Sequence, residues 1–349
     1  MSNDRNSFPS CPLPVNPSGT VRMAHGAGGE ASQKLLRDLI LPAFDNPTLA
    51  RAHDGAVLQV GNAKLAFTTD AFVVTPLFFP GGDIGTLAVN GTVNDLAMCG
   101  ARPIALSASF ILEEGLPLET LQRVIASMQK AALAAGVYLV TGDTKVVEAG
   151  HGDGIYITTS GIGIVAPNVD VAPQRVRPGD VVLLSGDIAS HGIAVLAARE
   201  GLQFETPVSS DTAPLAQVVM RLIENGVDLH CLRDPTRGGV ASSLIEIAAD
   251  ARVAIELDEA AVSVSSRVRG ACELLGIDPL HVANEGRFIA FVDPSQVELA
   301  LRVMADDAAC PYPCVIGRVS AGFGVTLRTS IGSRRPLDAL GAEQLPRIC

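Results

Sequence analysis

Short apolar stretches typical of strands alternate with helix-spaced segments along most of the chain, and one stretch without a period divides them. Such alternation predicts an α/β architecture of mixed helices and sheets. Three prolines and a glycine interrupt any period at 166–179, so we expect the junction between two domains there. The first half is predicted to contain, in order, a helix at 29–41, a hairpin at 55–74, a helix at 84–99, a strand at 103–112, a helix at 117–135, and strands at 136–141 and 154–165.

The second half continues the alternation and ends in a tail without a clear period. Its predicted elements are a strand at 181–186, helices near 190–200, 212–225 and 239–250, and strands at 253–257, 287–292, 314–319 and 323–328. The first 19 residues are polar and contain four prolines, which is typical of a disordered lead-in. We expect an N-terminal extension, two domains and a flexible tail, with bounds at 1–19, 20–168, 175–329 and 330–349.

Charge and cysteine content exclude several classes of protein. The chain carries 26 basic and 37 acidic residues, a net charge of −11, which would repel a nucleic acid backbone. No apolar run reaches the roughly 18 residues of a membrane span, and the N-terminus lacks a signal peptide pattern. Seven scattered cysteines in such a chain indicate thiols rather than a disulfide framework, and therefore a cytoplasmic protein.

Four acids lie near the ends of apolar strands or helical segments: Asp54, Asp70, Asp95 and Asp143. Magnesium that holds a nucleotide takes a few carboxylate oxygens and waters, so these acids suit a nucleotide–magnesium site. The alternative for each alone is a capping role. Lys145 follows Asp143 by two residues and offers a cation to a polyphosphate or a developing anion; the alternative is a solvated loop lysine.

Three loops could bind anions or supply a base. HGAGGE at 25–30, with Gly28 and Gly29, precedes a helix and could wrap phosphate with backbone N–H groups, although a plain turn fits equally well. DPTRGG at 234–239 is either an anion site or an Asp-Pro turn with an exposed arginine. Glu285, just before a predicted buried strand, could be a general acid or base, or could belong to a turn.

Cys349 is the last residue, and a cysteine falls there by chance about one time in fifty at this composition. It is not a prenylation site, because that motif needs the cysteine four residues from the end, where Pro346 stands. A thiol on a flexible tail can be a nucleophile or a carrier that moves between sites. Cys310 and Cys314 have the spacing of half a metal site but are expected to be core thiols.

Together these motifs resemble the HypE family of hydrogenase maturation proteins over about residues 20–349. The resemblance rests on HGAGGE (25–30), PLFFPGGDIG (76–85), GTVNDLAMCG (91–100), FILEEGLP (110–117), TGDTKVV (141–147), DPTRGGV (234–240), CELLGIDPL (272–280), NEGRF (284–288) and PRIC (346–349). It implies a fold similar to aminoimidazole ribonucleotide synthetase. In that fold an N-terminal domain binds ATP and forms a shared β-barrel in a homodimer, and an α/β domain follows.

The resemblance also implies a reaction. The terminal cysteine receives a carbamoyl group from HypF, and the protein uses ATP and Mg²⁺ to dehydrate this thiocarboxamide to a thiocyanate. Cyanide then passes to iron on the HypC–HypD complex. When the family's residue roles are carried over to the matching positions of this sequence, the resemblance implies that Cys349 bears the substrate and that Lys145 and Glu285 lie near the reacting amide. It also implies that Asp95 binds metal and that Asp54 and Asp70 take nucleotide–magnesium positions.

Other members of the superfamily fit less well. A selenophosphate synthetase would need a reactive Cys or selenocysteine and a lysine in the glycine loop, and residues 24–30 contain neither. Thiamine phosphate kinases and the purine enzymes do not need a terminal cysteine. An alternative of a different class also stays open, in which the chain is a non-catalytic scaffold that presents its tail to maturation partners.

Overall fold

The computed structural model describes residues 20–26, 28–44, 46–202, 207–339 and 347–349. The helices are α1 (Glu30–Leu35), α2 (Ile84–Met98), α3 (Leu118–Ala135), α4 (Ser190–Glu200), α5 (Ala216–Glu224), α6 (Gly239–Ala251), α7 (Ser266–Leu275) and α8 (Val297–Ala305). The strands are β1 (Ala56–Val60), β2 (Ala63–Phe72), β3 (Phe78–Phe79), β4 (Gly82–Asp83), β5 (Ala101–Glu113), β6 (Tyr138–Val147), β7 (Ile155–Val165), β8 (Val181–Leu184), β9 (Leu229–Arg233), β10 (Ala254–Asp258), β11 (Ile289–Val292), β12 (Cys314–Ser320), β13 (Gly324–Arg328) and β14 (Arg334–Pro336).

The strands form two large sheets, one on each side of the junction at 166–179. The first has the order β1-β2-β7-β5-β6 and the second the order β14-β13-β10-β12-β8-β11-β9. In the first sheet only β5 and β6 pair in parallel, and α3 connects them. The predicted two-domain architecture of mixed helices and sheets is therefore confirmed. The first sheet is open, with β1 and β6 at its edges, so one chain forms no closed barrel.

Helix α2 lies at the centre of the first domain and joins it to the second. Almost every residue of α2 is buried, because the helix packs on the sheet with one side and on α3 and α5 with others. Asp83 caps its N-terminus by accepting from the backbone N–H groups of Gly85 and Thr86 at 2.8 and 3.0 Å. A buried central helix of this kind holds polar side chains on its surface in fixed positions.

Several predicted elements differ from the structure. The helix expected at 29–41 is α-helical only to Leu35 and then becomes a π turn, and Leu36, Leu39 and Ile40 are exposed rather than on a buried face. β6 extends to Val147, and its residues are exposed almost throughout, so it is not the buried strand that the apolar residues at 136–141 indicate. α7, α8 and β9 had no predicted counterpart.

The tail also differs from the prediction. Residues 334–336 form β14, which pairs with β13 and extends the second sheet beyond residue 329. The last three residues are docked against the body of the protein, as described below. The predicted extension 1–19 lies outside the described residues. Within the part of the chain that the structure describes, no helix has the length and apolar character to cross a membrane.

Candidate active site

Carboxylates from both domains meet at the face of α2. Asp70 lies on β2, Asp95 on α2, and Asp54 just before β1, while Asp234 follows β9 in the second domain. Burial raises the pKa of Asp95 well above its usual value, and repulsion from Asp234, Asp70 and Asp54 raises it further. The structure thus brings three of the predicted nucleotide–magnesium acids together and adds Asp234.

Three acids of this cluster, Asp95, Asp70 and Asp54, are held by specific contacts. Thr68 Oγ1 donates to Asp95 Oδ2 at 2.7 Å, and the Ala71 backbone N–H donates to Asp70 Oδ1 at 2.7 Å. Arg233 Nε lies 2.9 Å from Asp54 Oδ1 in a nearly buried ion pair. The second oxygen of Asp54, Oδ2, is buried without a hydrogen-bond partner.

These acids fit a divalent cation by their chemistry. Oxygen donors are what Mg²⁺ prefers, and the unpartnered Asp54 Oδ2 and the mutual repulsion of the cluster would both be relieved by a cation. Among the described residues, however, no three His, Cys, Asp or Glu side chains already converge as a complete ligand set. The protein therefore provides some of the ligands, and phosphate oxygens or waters would have to supply the others.

Asn94 and Asn284 place Glu285 beside this cluster. Asn94 on α2 donates through Nδ2 to the Glu285 carbonyl at 3.3 Å and accepts from the Leu215 backbone N–H at 2.8 Å. Asn284 Nδ2 donates to the Pro235 carbonyl at 2.9 Å, which ties the NEGRF loop to the DPTRGG loop. Asn94 directly precedes Asp95, and Asn284 directly precedes Glu285. In both motifs the asparagine thus has a positioning role, and the neighbouring carboxylate is the group that it positions.

Glu285 is only 4% exposed, and its Oε1 has no hydrogen-bond partner. Burial raises the pKa of Glu285 well above its usual value, repulsion from Asp234, Asp70 and Asp211 adds to the rise, and Arg237 opposes it. A carboxylate in this environment binds a proton more tightly than a solvated one. Glu285 therefore has the character of a general base stronger than a solvated glutamate.

The terminal residue lies at the wall of a cleft of about 390 Å³ between the two domains. The glycine loop (His25 and Gly26), Arg237 and Cys349 are among the residues that line it. Burial raises the pKa of the Cys349 thiol, Arg237 opposes the rise, and the carboxylates Glu285, Asp70 and Asp234 increase it. The terminal thiol thus lies within electrostatic reach of Glu285 and the acid cluster.

Backbone pairing holds the tail in this cleft. The Val73 N–H donates to the main-chain oxygen of Cys349 at 3.0 Å, and the Thr75 N–H donates to the Arg347 carbonyl at 3.4 Å. The Arg347 guanidinium donates to Thr75 Oγ1 at 2.8 Å and to Asp153 Oδ2 at 2.5 Å. Ile348 is buried to 4% exposure. Each of the last three residues therefore has its own contacts with the protein.

The glycine loop packs against the DPTRGG loop. Gly28 has φ +78°, and a Cβ there would lie 2.7 Å from the Cβ of Arg237, so only glycine fits. The Gly28 N–H donates to Ser32 Oγ at 3.0 Å, and Gly29 is the residue before α1. The two loops that the sequence offered as anion sites are thus neighbours at one cleft.

Lys145 and Asp143 lie elsewhere. They are part of exposed β6, where Lys145 Nζ is 2.6 Å from Asp143 Oδ2 and both side chains are more than half exposed. Neither is among the charges that act on the pKa of Cys349 or Glu285. The single chain therefore does not bring these two predicted residues to the thiol.

Some of the residues at this site carry little or no signal in the sequence. DPTRGG is evident in the sequence as a motif, but the sequence did not predict that its Asp234 and Arg237 lie near the terminal thiol. His191 and Arg199, which contact the tail, lie in an ordinary helical pattern, and nothing in that pattern distinguishes them.

Comparison with known proteins identifies the family. The model "AIR synthase related protein, N-terminal domain" matches residues 52–165, and its C-terminal counterpart matches 177–330. "Carbamoyl dehydratase HypE" of Cupriavidus necator is 48% identical over 335 residues, covering 95% of both chains. The protein of the same name from Escherichia coli is 44% identical over 334 residues, covering 94% of this chain and 99% of that one. The chain belongs to the HypE family.

Solved HypE structures share the fold. The HypE of a HypE–HypF complex has a TM-score of 0.84 and 47% identity, covering 88% of this chain and 99% of that one. A HypE in complex with ATP has a TM-score of 0.80 and 47% identity, covering 95% and 100%. A ThiL bound to AMPPCP and TMP has a TM-score of 0.68 at 20% identity, which shows a shared fold alone.

Proposed function

We propose that this chain is an ATP-dependent carbamoyl dehydratase whose substrate is the thiocarboxamide carried on its own Cys349. The observation that carries the proposal is the position of the terminal thiol, docked at a cleft that Arg237 lines and within electrostatic reach of Glu285 and the acid cluster. Relatives over nearly the whole chain bear the name carbamoyl dehydratase, and one relative was solved with ATP. The product is a thiocyanate on Cys349 that supplies the cyanide ligands of nickel–iron hydrogenase.

The reaction removes the elements of water from S–C(=O)–NH₂. The amide oxygen is a poor leaving group until it takes the γ-phosphoryl group of ATP, and it then departs as phosphate. Loss of the nitrogen-bound protons and cleavage of the C–O bond leave S–C≡N, ADP and phosphate. Dehydration therefore needs a phosphate-binding site and a base beside one carbon atom.

Residues in and around the cleft can perform both tasks. Glu285, with a raised pKa and an unpartnered oxygen, would accept a proton from the amide nitrogen. Arg237 would stabilise negative charge on the phosphorylated oxygen, since its guanidinium acts on both Cys349 and Glu285. Gly28 packs against Arg237, which lines the cleft, and Gly28 and Gly29 would approach the phosphates with their backbone.

Mg²⁺ would take carboxylate ligands from among Asp54, Asp70 and Asp95, with Asp234 beside them, and phosphate oxygens or waters would complete its ligand set. When bound, the ion would neutralise phosphate oxygens and orient them for transfer. The unpartnered Asp54 Oδ2 and the raised pKa values of Asp70, Asp95 and Asp234 support this assignment, because burial disfavours the charged form of these carboxylates and a bound cation would offset that cost.

The partners follow from the chemistry of the thiol. HypF would load the carbamoyl group, in accord with the solved complex of a HypE and a HypF, and HypC–HypD would accept the cyanide. The six described cysteines are free, which suits a cytoplasmic carrier thiol. The docked Cys349 is half-buried and its backbone is held by hydrogen bonds, so we infer that the tail undocks for loading and for delivery.

A homodimer would complete the site. The outer face and edges of the first sheet expose large apolar side chains, among them Val60, Phe67, Ile111, Tyr138, Val140, Ile162 and Ile164. A second copy would cover this face and its open edges. A role for Lys145 at the reacting amide requires an element beyond the single chain, and we propose that a second copy provides it.

ATP hydrolysis separates an enzyme from a scaffold. We expect phosphate release only from chain whose Cys349 carries a carbamoyl group, and none from Cys349→Ala treated with the same carbamoyl donor protein. Equal phosphate release from loaded wild type, unloaded wild type and Cys349→Ala would contradict the proposal.

A further inference from the structure

Two side chains of α4 hold the backbone of the tail, and the proposed chemistry uses neither. His191 Nε2 lies 2.7 Å from the Ile348 carbonyl oxygen, and Arg199 Nη2 donates to the Arg347 carbonyl at 2.6 Å. A carbonyl oxygen only accepts, so the proton of His191 must be on Nε2. These hydrogen bonds hold the backbone directly before Cys349.

His191 is itself fixed from several sides. Its side chain is fully buried, and Ser210 Oγ lies 2.9 Å from Nδ1, where the hydroxyl donates to the ring. The Ser210 N–H donates to the Pro80 carbonyl at 2.8 Å, and Phe79 packs edge-on against the imidazole at 5.5 Å. Burial lowers the pKa of His191, which favours the neutral ring that this arrangement needs.

Arg199 joins the tail to the segment with which it pairs. Its Nε donates to the Thr75 carbonyl at 2.8 Å, while Nη2 of the same guanidinium binds the Arg347 carbonyl. Thr75 also donates its own N–H to Arg347. The planar guanidinium of the second domain thus holds two paired backbones at once, a geometry that lysine cannot reproduce.

We propose that His191 and Arg199 are positioning residues that latch the terminal tail in the active-site cleft and set how often Cys349 is released to a partner protein. The inference rests on the proposed function, in which one thiol is first loaded outside and then dehydrated inside. Breaking one latch hydrogen bond should raise the undocked population about tenfold, equivalent to about 1.4 kcal/mol.

Alkylation of Cys349 measures undocking without any catalysis. In the docked state Cys349 is half-buried and burial raises the pKa of its thiol, so iodoacetamide should react chiefly through the undocked state. We expect His191→Phe, which keeps a ring beside Phe79 but has no donor, to be alkylated about tenfold faster at Cys349 than wild type. His191→Gln, whose amide can donate to Ile348, should return toward the wild-type rate. Peptide mass spectrometry assigns the modified cysteine.

Matched controls separate a latch from general destabilisation. His281→Phe alters another buried histidine of the second domain, and Arg221→Leu alters an arginine that also reaches two carbonyls, those of Val303 and Asp306. We expect neither to change Cys349 alkylation. Arg199→Lys keeps the positive charge but loses the guanidinium that donates to two carbonyls at once. It should raise the rate of Cys349 alkylation as His191→Phe does. This second variant keeps the test available if His191→Phe does not fold.

A kinetic split completes the test. In Arg199→Lys, loading by the carbamoyl donor protein should be as fast as in wild type or faster. First-order dehydration of the loaded tail should fall by at most about twofold, because a mostly docked tail stays largely docked after a tenfold rise in its undocked population, and the KM for ATP should be unchanged. Alkylation at the wild-type rate in both latch variants, or an equal rise in the controls, would overturn the latch. A wild type that never dehydrates its loaded tail, with alkylation still faster in the variants, would overturn the proposed function and leave the latch standing.

Discussion

At the scale of single residues, Glu285 combines burial, an unpartnered oxygen and neighbouring carboxylates, all of which favour its protonated form. A base must be ionised to accept a proton, so we expect the dehydration rate to rise with pH through a value above the ordinary 4.5 of glutamate. Glu285→Gln should accept the carbamoyl group normally and dehydrate it roughly 10²- to 10⁴-fold more slowly. Dehydration at the wild-type rate in Glu285→Gln would show that Glu285 is not the base.

Asp95 connects the acid cluster to stability. Its pKa is raised in the folded protein, first by burial and then by Asp234 and Asp70, so folding favours the protonated form. This stability is fully present below the unfolded-state pKa of 3.8 and is lost as pH rises through the folded pKa. Without nucleotide, Asp95→Asn should therefore unfold at a higher temperature than wild type at pH 7, and the difference should shrink near pH 4.

The same substitution tests the magnesium assignment. Asp95→Asn removes a charge that would face Mg²⁺ and should lower dehydration most when magnesium is limiting. Thermal scans at two pH values and turnover across a magnesium titration check both outcomes. Dehydration at the wild-type rate in limiting magnesium would contradict a metal role for Asp95, and an unchanged unfolding temperature at pH 7 would contradict the charge repulsion.

At the scale of elements, the glycine loop at 25–30 depends on its contact with the DPTRGG loop. Gly28→Ala places a Cβ against Arg237 at φ +78°, which costs about 1–2 kcal/mol for the left-handed backbone alone. We expect ATP affinity to fall about tenfold, with a small change in unfolding temperature. Gly26→Ala is the matched control, because a Cβ at Gly26 meets nothing within 4 Å. Equal ATP affinity in Gly28→Ala and Gly26→Ala, measured by calorimetry, would contradict the role of this contact.

Elements with a strong local pattern were predictable, and elements set by distant contacts were not. The hairpin at 55–74 and the helix at 84–99 appear as β1–β2 and α2, because their turn residues and apolar spacing agree with their surroundings. The tail 330–349 has no period, yet its last residues pair with the segment after β2 through backbone groups that no side-chain pattern reveals. The position of β6 in the sheet is likewise not visible locally: its apolar residues at 136–141 are typical of a buried strand, although β6 is an exposed edge.

The sequence indicated which residue types form the candidate site, but it did not indicate how they are arranged in space. Asp54, Asp70, Asp95 and Glu285 were distinguishable because acids at element ends suit cation and proton chemistry, and the resemblance added roles. Asp234 is brought to Asp54 only by the packing of one domain on the other. Contacts between domains leave no local spacing in a sequence, which is why this neighbour was missed.

At the scale of the whole molecule, the open first sheet and the exposed position of Lys145 lead to one prediction. If a second copy carries Lys145 to the site, Lys145→Ala and Glu285→Gln should each be inactive alone. Their equimolar mixture should recover about a quarter of wild-type activity, because half of the mixed dimers' sites are intact. Light scattering should show a dimer at micromolar concentration. A dimer whose mixture recovers no activity would contradict a role for Lys145 across the interface.

The central claim is that Cys349 carries the substrate into its own active site. The most direct test loads the wild-type chain with a carbamoyl group by means of a HypF-type partner, removes the partner, adds ATP and magnesium, and follows the intact mass and the peptide that ends in Cys349. We expect the loaded mass to fall by one water, on that peptide alone, at a first-order rate independent of protein concentration. A loaded mass that stays constant, or a loss of water on a peptide containing another cysteine, would contradict it.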